Sequence, residues 1–213
     1  MRTIDLQNWN RQAHFHYFSQ FNSPFFNICA DVDVTRFLPY IRTNNISCFK
    51  ASYFFVLKTI NAIDNFRYRI RDGAVIEHEV INGSCPILND DETFNYCYFE
   101  YHPDFKSFAE NAEKVLEANR THPTFKPRLD LDNIIHSSII PWVSFNHFEH
   151  AKRIDSGDSI PKIVIGKYFE DHGKMKMPLS VSAHHALVDG IHVGLFFKKY
   201  QALLDAPEQH LAS

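Results

Sequence analysis

The sequence holds little on which a membrane, redox or nucleic-acid role could rest. No apolar run approaches the ~20 residues that a membrane span needs. The opening MRTIDLQNWNRQ has no apolar signal core. Cys29, Cys48, Cys85 and Cys97 lie far apart with no CxxC spacing. That gives no support to a zinc site, and the four read as free thiols of a reducing cytoplasm. A net charge of -3 lacks the basic excess of a nucleic-acid binder and carries no acidic tail. No repeat, linker or low-complexity tract divides the 213 residues, so the chain is drawn as one domain, 1–213.

What is present is apolar and aromatic. Apolar residues make up 45 % of the chain and Phe alone counts 20, enough for a sizeable core. LQNWNRQAHFHYF reads as a short helix. FFNICADV alternates Phe26, Ile28, Ala30 and Val32 on one face, which is strand periodicity. Asp33 then reads as the N-cap of VTRFLPYIR, with Pro39 shortening or kinking that helix. Ser47 caps SCFKASYFFVLKTINAI, the longest helical stretch. FRYRI and AVIEHEV flank Asp72-Gly73, a hairpin turn. ETFNYCYFEYH is strand-like. PDFKSFAENAEKVLEANR is a helix entered through Pro103. NIIHSSIIPWVSF is a buried strand in which Pro141 predicts a bulge or an edge position. KIVIGKYFE and KMKMPLSVSAHH form a second hairpin around Asp171-His172-Gly173. Val193, Phe196, Phe197, Tyr200, Leu203 and Leu204 then repeat at helical spacing. Strands and helices mix irregularly, and hairpins are present. This predicts an α/β fold, a two-layer sandwich with a mixed β-sheet packed against helices.

The chemistry concentrates in SVSAHHALVDGIHVG. Strand alternation puts Val181, Ala183 and His185 on one face and Ser180, Ser182 and His184 on the other. Three readings stay open. His185 closes an apolar face and could be a hydrogen-bonded core residue. His185 and His192 with a third ligand could bind a metal, although the adjacent strand histidines point apart. Or a neutral imidazole at a buried strand end is a general base, because its pKa lies close to the working pH. A base without a neighbouring nucleophile implies that the substrate brings one, such as an alcohol hydroxyl. Ser137-Ser138, in an apolar strand, offers a donor for an oxyanion.

HHALVDG resembles the His-His-x-x-x-Asp-Gly signature of coenzyme-A-dependent acyltransferases. WNRQAHFHYF, FRYRIRDG, DDETF, PWVSF and GKY follow the order in which chloramphenicol acetyltransferases carry them, from about Trp9 to Tyr200. The resemblance implies an O-acetyltransferase acting on the primary hydroxyl of chloramphenicol and so conferring resistance. Acetyl-CoA is the co-substrate, with no permanently bound cofactor and no metal. It makes His185 the base, Ser138 the oxyanion donor, and Arg11–Asp189 a structural ion pair. Tyr17, Phe18, Phe26, Phe94 and Phe125 become the acceptor pocket, and Lys167 and Tyr168 border the coenzyme channel. It also implies a homotrimer with His185 facing a neighbour's pocket.

Three positions depart from the family pattern. Val164 stands where a threonine is usual, His150 where a leucine lines the pocket, and Tyr96 where a small residue is common. They leave open an acetyltransferase for some other hydroxyl compound. A dihydrolipoamide acyltransferase core is disfavoured, because the sequence has no lipoyl domain, Ala/Pro linker or N-terminal extension. A non-catalytic sandwich that binds aromatic ligands is the remaining alternative.

Overall fold

The computed structural model describes residues 1–151 and 157–212. The chain enters through a short strand, β1 (Arg2–Thr3), and one 3-10 turn at Leu6–Asn8 before helix α1 (Gln12–Phe18). Strand β2 (Phe25–Asp33) follows. Helix α2 (Phe37–Thr43) starts later than the sequence implied. Asp33 ends the strand, and its Oδ1 accepts the Thr35 N–H at 2.9 Å, while Arg36 precedes the helix and supplies no side-chain cap. Pro39 falls in the first turn, where a missing N–H removes no helical bond, so it causes no kink. Helix α3 (Cys48–Asn61) begins at Ser47, whose Oγ accepts the Lys50 N–H at 3.4 Å. Strands β3 (Tyr68–Arg71) and β4 (Ala74–Glu77) form the hairpin, with φ of 49° at Asp72 and 76° at Gly73, as a primed turn requires.

Strand β5 (Asn82–Leu88), which has no clear alternation, pairs with β6 (Phe94–Phe99). Helix α4 (Phe105–Thr121) is capped by Asp104, which accepts the Ser107 N–H at 2.8 Å, so Pro103 lies just outside it. Strand β7 (Ile134–Ile140) stops before Pro141, which makes neither a bulge nor an edge. β8 (Lys162–Gly166), β9 (Phe169–Asp171) and β10 (Lys174–His184) lead into helix α5 (Gly190–Asp205). Val193, Phe196, Tyr200 and Leu204 of α5 are buried, and Phe197 and Leu203 pack beside them.

The main sheet has the order β2-β10-β8-β7-β5-β6, with β9 also on β10; β1, β4 and β3 make a smaller sheet. β7 runs parallel to β5 and β8, and the other pairs are antiparallel, so the sheet is mixed as expected. One apolar core joins residues of all five helices to the sheet. Arg69 ties the β3–β4 hairpin to the start of β7. It is fully buried and donates to the carbonyls of Asp132 (2.6 Å), Phe66 (3.0 Å), Tyr68 (2.6 Å) and Ile134 (2.6 Å). Burial pushes its pKa down to about 10, so it stays a cation at neutral pH.

Two features position the site. β5 and β7 pair only over Asn82–Ser84 and Ile134–His136, then part, and a cleft opens between their free ends. Below the paired segment, α3 lies so close that a Cβ on Gly83 would run into the Tyr53 hydroxyl and ring. Tyr53 is fully buried and cannot swing into solvent. Gly83→Ala should therefore destabilise the protein by about 1–3 kcal/mol through overpacking. A urea unfolding midpoint equal to wild type would contradict that packing.

Candidate active site

His185 sits one residue beyond β10, in the turn that leads to α5. Its N–H donates to Pro24 O at 2.8 Å, which pins the turn to the start of β2. The ring stacks on Phe18 of α1 at 3.9 Å and 4°, and tilts over Phe26 of β2 at 4.6 Å. Arg11, just before α1, is 8 % exposed. Its Nη1 pairs with Asp189 Oδ2, and its Nη2 donates to Asp189 Oδ1 (3.1 Å) and to the carbonyls of His185 (3.0 Å) and Ala186 (3.4 Å). Asn65 holds the same turn from another side, donating to Leu187 O at 2.8 Å. Asp189 is thus an ion-pair partner of Arg11, as expected.

The carboxylate also reaches the imidazole. Asp189 Oδ1 lies 3.2 Å from His185 Nδ1, although off the line of a hydrogen bond, and Nδ1 is buried. The His185 side chain is 33 % exposed, and with Nδ1 buried its other ring nitrogen, Nε2, is on the open side. Burial pushes the Asp189 carboxyl up, but Arg11, with help from His192 and His185, outweighs it, and the net direction is down. It is a carboxylate throughout the neutral range.

His184 faces the other way. Its Nδ1 accepts the Ala186 N–H at 3.2 Å, and its ring lies edge-on to Phe25. Burial pushes its pKa down to about 4. The two adjacent histidines therefore share no ligand, and His192 Nδ1 is taken by the Asp189 N–H at 2.9 Å. Among the described residues no group of three or more His, Cys, Asp and Glu is placed to hold a metal.

A cavity of about 1090 Å³ occupies the cleft between β5 and β7. Ser138, Phe94, Phe125, Lys167 and Tyr168 all line it. Phe94, Tyr96 and Phe125 form an aromatic triad, with centroid separations of 5.5, 5.9 and 5.8 Å. Arg42 approaches the Tyr168 ring at 6.0 Å and donates to its hydroxyl at 3.4 Å. His150 lines the cavity against Phe148, whereas Val164 is fully buried and away from the lining.

One wall of the cavity is polar, and sequence reasoning passed over it. Ser84 Oγ is 2.8 Å from His136 Nδ1, and the buried Lys162 ammonium pairs with Asp158 at 2.6 Å over the Phe25 ring at 4.2 Å. Ser84, His136, Lys162 and Ser182 lie level across four strands. The available signal was the alternation of His136 and Ser138 within an otherwise aliphatic strand.

The expected site residues form two groups, not one. Arg11, Phe18, Phe26, His185 and Asp189 meet at the β10–α5 turn; Tyr17 adjoins them, 60 % exposed and 5.1 Å from Phe18. Ser138, Phe94, Phe125, Lys167 and Tyr168 meet at the cleft, and His185 does not line it. Ser138 lies level with Val164 and Ser180, two strands from β10 and five residues short of His185. Strand geometry then separates the two Cα atoms by about 19 Å. The alternation also puts them on opposite faces of the sheet. A single acceptor pocket containing all five aromatic residues is thus not formed within one chain.

Residues 1–201 match the family model described as chloramphenicol acetyltransferase. The chain belongs to that family. A chloramphenicol acetyltransferase of Clostridium perfringens is 30 % identical over 208 residues, covering 95 % of this chain and 98 % of its own. A solved chloramphenicol acetyltransferase superposes with a TM-score of 0.89 at 28 % identity, over 95 % of this chain and 99 % of that one. A dihydrolipoamide acetyltransferase of Azotobacter vinelandii shares the fold alone, at 12 % identity and a TM-score of 0.67 over 92 % of this chain and 87 % of that one. Family membership makes the chain an acyltransferase and removes the non-catalytic alternative.

The polar wall gives this family member an acid sensitivity. Burial first, then the Lys162 charge, pushes the His136 pKa down to about 4; burial does the same to His184. Between about 6.5 and 4 the unfolded chain takes up protons that the folded chain refuses. This stability is complete above pH 6.5 and is lost as pH falls toward 4. Each histidine should cost about 2 kcal/mol by pH 5. Urea midpoints at pH 7 and pH 5 check this: the fall in His136→Asn should be smaller than in wild type by about 2 kcal/mol, and an unchanged fall would remove His136 from the explanation.

Proposed function

We propose that the chain, acting as one acyltransferase domain over residues 1–213, moves the acetyl group of acetyl-CoA to the primary hydroxyl of chloramphenicol. The observation that carries this reading is the His185 imidazole, with Nδ1 turned to Asp189 and Nε2 open. Its accessible nitrogen is free to accept a proton, and the stack on Phe18 fixes its direction.

The steps follow from that geometry. Nε2 takes the proton of the acceptor hydroxyl as the oxygen attacks the thioester carbonyl. Ser138 Oγ–H donates to the oxyanion of the tetrahedral intermediate. The intermediate collapses, the C–S bond breaks, and the coenzyme sulfur leaves with the proton held by His185. No acyl-enzyme forms, because the substrate oxygen is itself the nucleophile. General-base assistance contributes ~10²–10⁴-fold, and one oxyanion donor in a dry site ~10²–10³-fold. Holding hydroxyl and thioester together supplies much of the remainder. Phe94, Tyr96 and Phe125 suit a flat aromatic acceptor. Lys167 and Tyr168 border the coenzyme's path.

The reading includes a homotrimer. His185 and Ser138 are too far apart to serve one reacting centre within a chain, so His185 of one copy faces the cleft of the next, and Tyr17, Phe18 and Phe26 close that pocket from the His185 side. Acetyl-CoA is the co-substrate, and the place of action is the cytoplasm. No helix of the described residues is long and apolar enough to cross a membrane, and the four cysteines are free thiols.

Purified protein with acetyl-CoA should release free thiol only when chloramphenicol is added. His185→Ala should abolish turnover, and Ser138→Ala should lower kcat about 10²-fold with KM nearly unchanged. Equal amounts of the two variants, refolded together, should recover about a quarter of wild-type activity, because random mixing pairs an intact His185 with an intact Ser138 at that frequency. Thiol release with other alcohols but not with chloramphenicol would overturn the acceptor, and a mixture without recovery would overturn the shared site.

A further inference from the structure

The N-terminus of α5 contains an imidazole that neither the catalytic steps nor a metal accounts for. Asp189 precedes α5 as its N-cap. An aspartate in that position usually turns its carboxylate back onto the first free N–H groups of the helix. Here the capping carboxylate has further partners: Oδ2 pairs with Arg11, and Oδ1 lies 3.1 Å from Arg11 and 3.2 Å from His185 Nδ1. One carboxylate therefore faces the helix's third N–H, Arg11 and the base together.

His192 supplies the other half of that cap. Its Nδ1 accepts the Asp189 N–H at 2.9 Å, from the third position of the helix. Glutamate or glutamine usually makes this reach-back bond. A histidine differs in two ways. It accepts at Nδ1 only in the Nε2–H tautomer, and only while neutral.

We infer that His192 is a positioning residue for the acetyl transfer: by fixing the Asp189 backbone, it holds one carboxylate on both Arg11 and His185. This rests on His185 being the base. The charged and titratable groups around it are Arg11 from the start of α1, Asp189 from its own cap, and His185 across that carboxylate. Burial, then the Arg11 charge, pushes the His192 pKa below the ordinary histidine value, against an opposing pull from Asp189. At neutral pH the ring is an acceptor. In acid, a protonated Nδ1 would meet the Asp189 N–H donor to donor. The new charge would also compete with Arg11 for the carboxylate. Activity in acid should then be lost in part through protonation of His192.

The test compares wild type, His192→Gln and His192→Leu in the thiol-release assay from pH 5 to 8. His192→Gln, which keeps an acceptor that does not titrate, should hold kcat within about three-fold at pH 7.5. His192→Leu should lower kcat about ten-fold, with KM for both substrates changed less than about two-fold. On the acid side, log kcat should fall more steeply in wild type than in His192→Gln. If His192→Leu does not fold, the slopes and long-range ¹H–¹⁵N spectra of wild-type histidines carry the test, with His192 Nδ1 expected unprotonated. Equal slopes in wild type and His192→Gln, a protonated Nδ1 at neutral pH, or a His192→Leu defect confined to KM would each overturn the inference. A wild type that releases no thiol with chloramphenicol would overturn the function reading and this inference together. An active wild type with any of the contrary results overturns this inference alone.

Discussion

The Arg11 guanidinium ties the start of α1 to the turn between β10 and α5. It binds the carboxylate of Asp189 and the carbonyls of His185 and Ala186, and it does so almost wholly buried. A cation so placed must be compensated, because an unpaired buried charge costs several kcal/mol. That requirement keeps the carboxylate ionised and the turn after β10 in one shape. The shape in turn lays the His185 ring flat against Phe18 and leaves one of its nitrogens outward. Removing one partner would leave a buried charge unpaired and the ring undirected, so stability and ring orientation would suffer together.

The second constraint is the parting of β5 and β7. Parallel strands in a buried sheet usually stay paired, since each unpaired backbone group must find another partner. Here the pairing stops after three residues on each strand, and the space beyond becomes a cavity of about 1090 Å³ that side chains from both faces of the sheet line. Ser138 and the Phe94–Tyr96–Phe125 triad occupy that opening, and the polar row from Ser84 to Lys162 forms its inner edge. His185 lies outside it, two strand spacings away, and in the proposed reading a neighbouring copy brings the base to the cleft.

Local pattern recovered most elements. Ser47 capped its helix, Asp72-Gly73 turned its hairpin, and the apolar stripe of α5 faced the core, because each depends on residues a few positions apart. The failures share a cause. Asp33 looked like a cap, but the strand ran on through it. Pro141 looked like an edge marker, but its strand had already ended, in the middle of the sheet. β5 escaped notice because its glycine and proline hide strand periodicity, and Gly83 is there for the approach of Tyr53. In each case a partner far along the chain decided the outcome.

The same division runs through the site. The order of short motifs and the His-His-x-x-x-Asp-Gly signature carried the family and the Arg11–Asp189 pair and singled out His185 as a candidate, since residue identity is written directly in the chain. Whether those residues share a volume is a matter of register, and register depends on which strands become neighbours. Folding alone put Ser138 and His185 about 19 Å apart on opposite faces, set Asp189 beside the imidazole, and turned His192 back onto its helix cap. Alternation within a strand assigns each side chain to a face, but only pairing between strands assigns that face a neighbour.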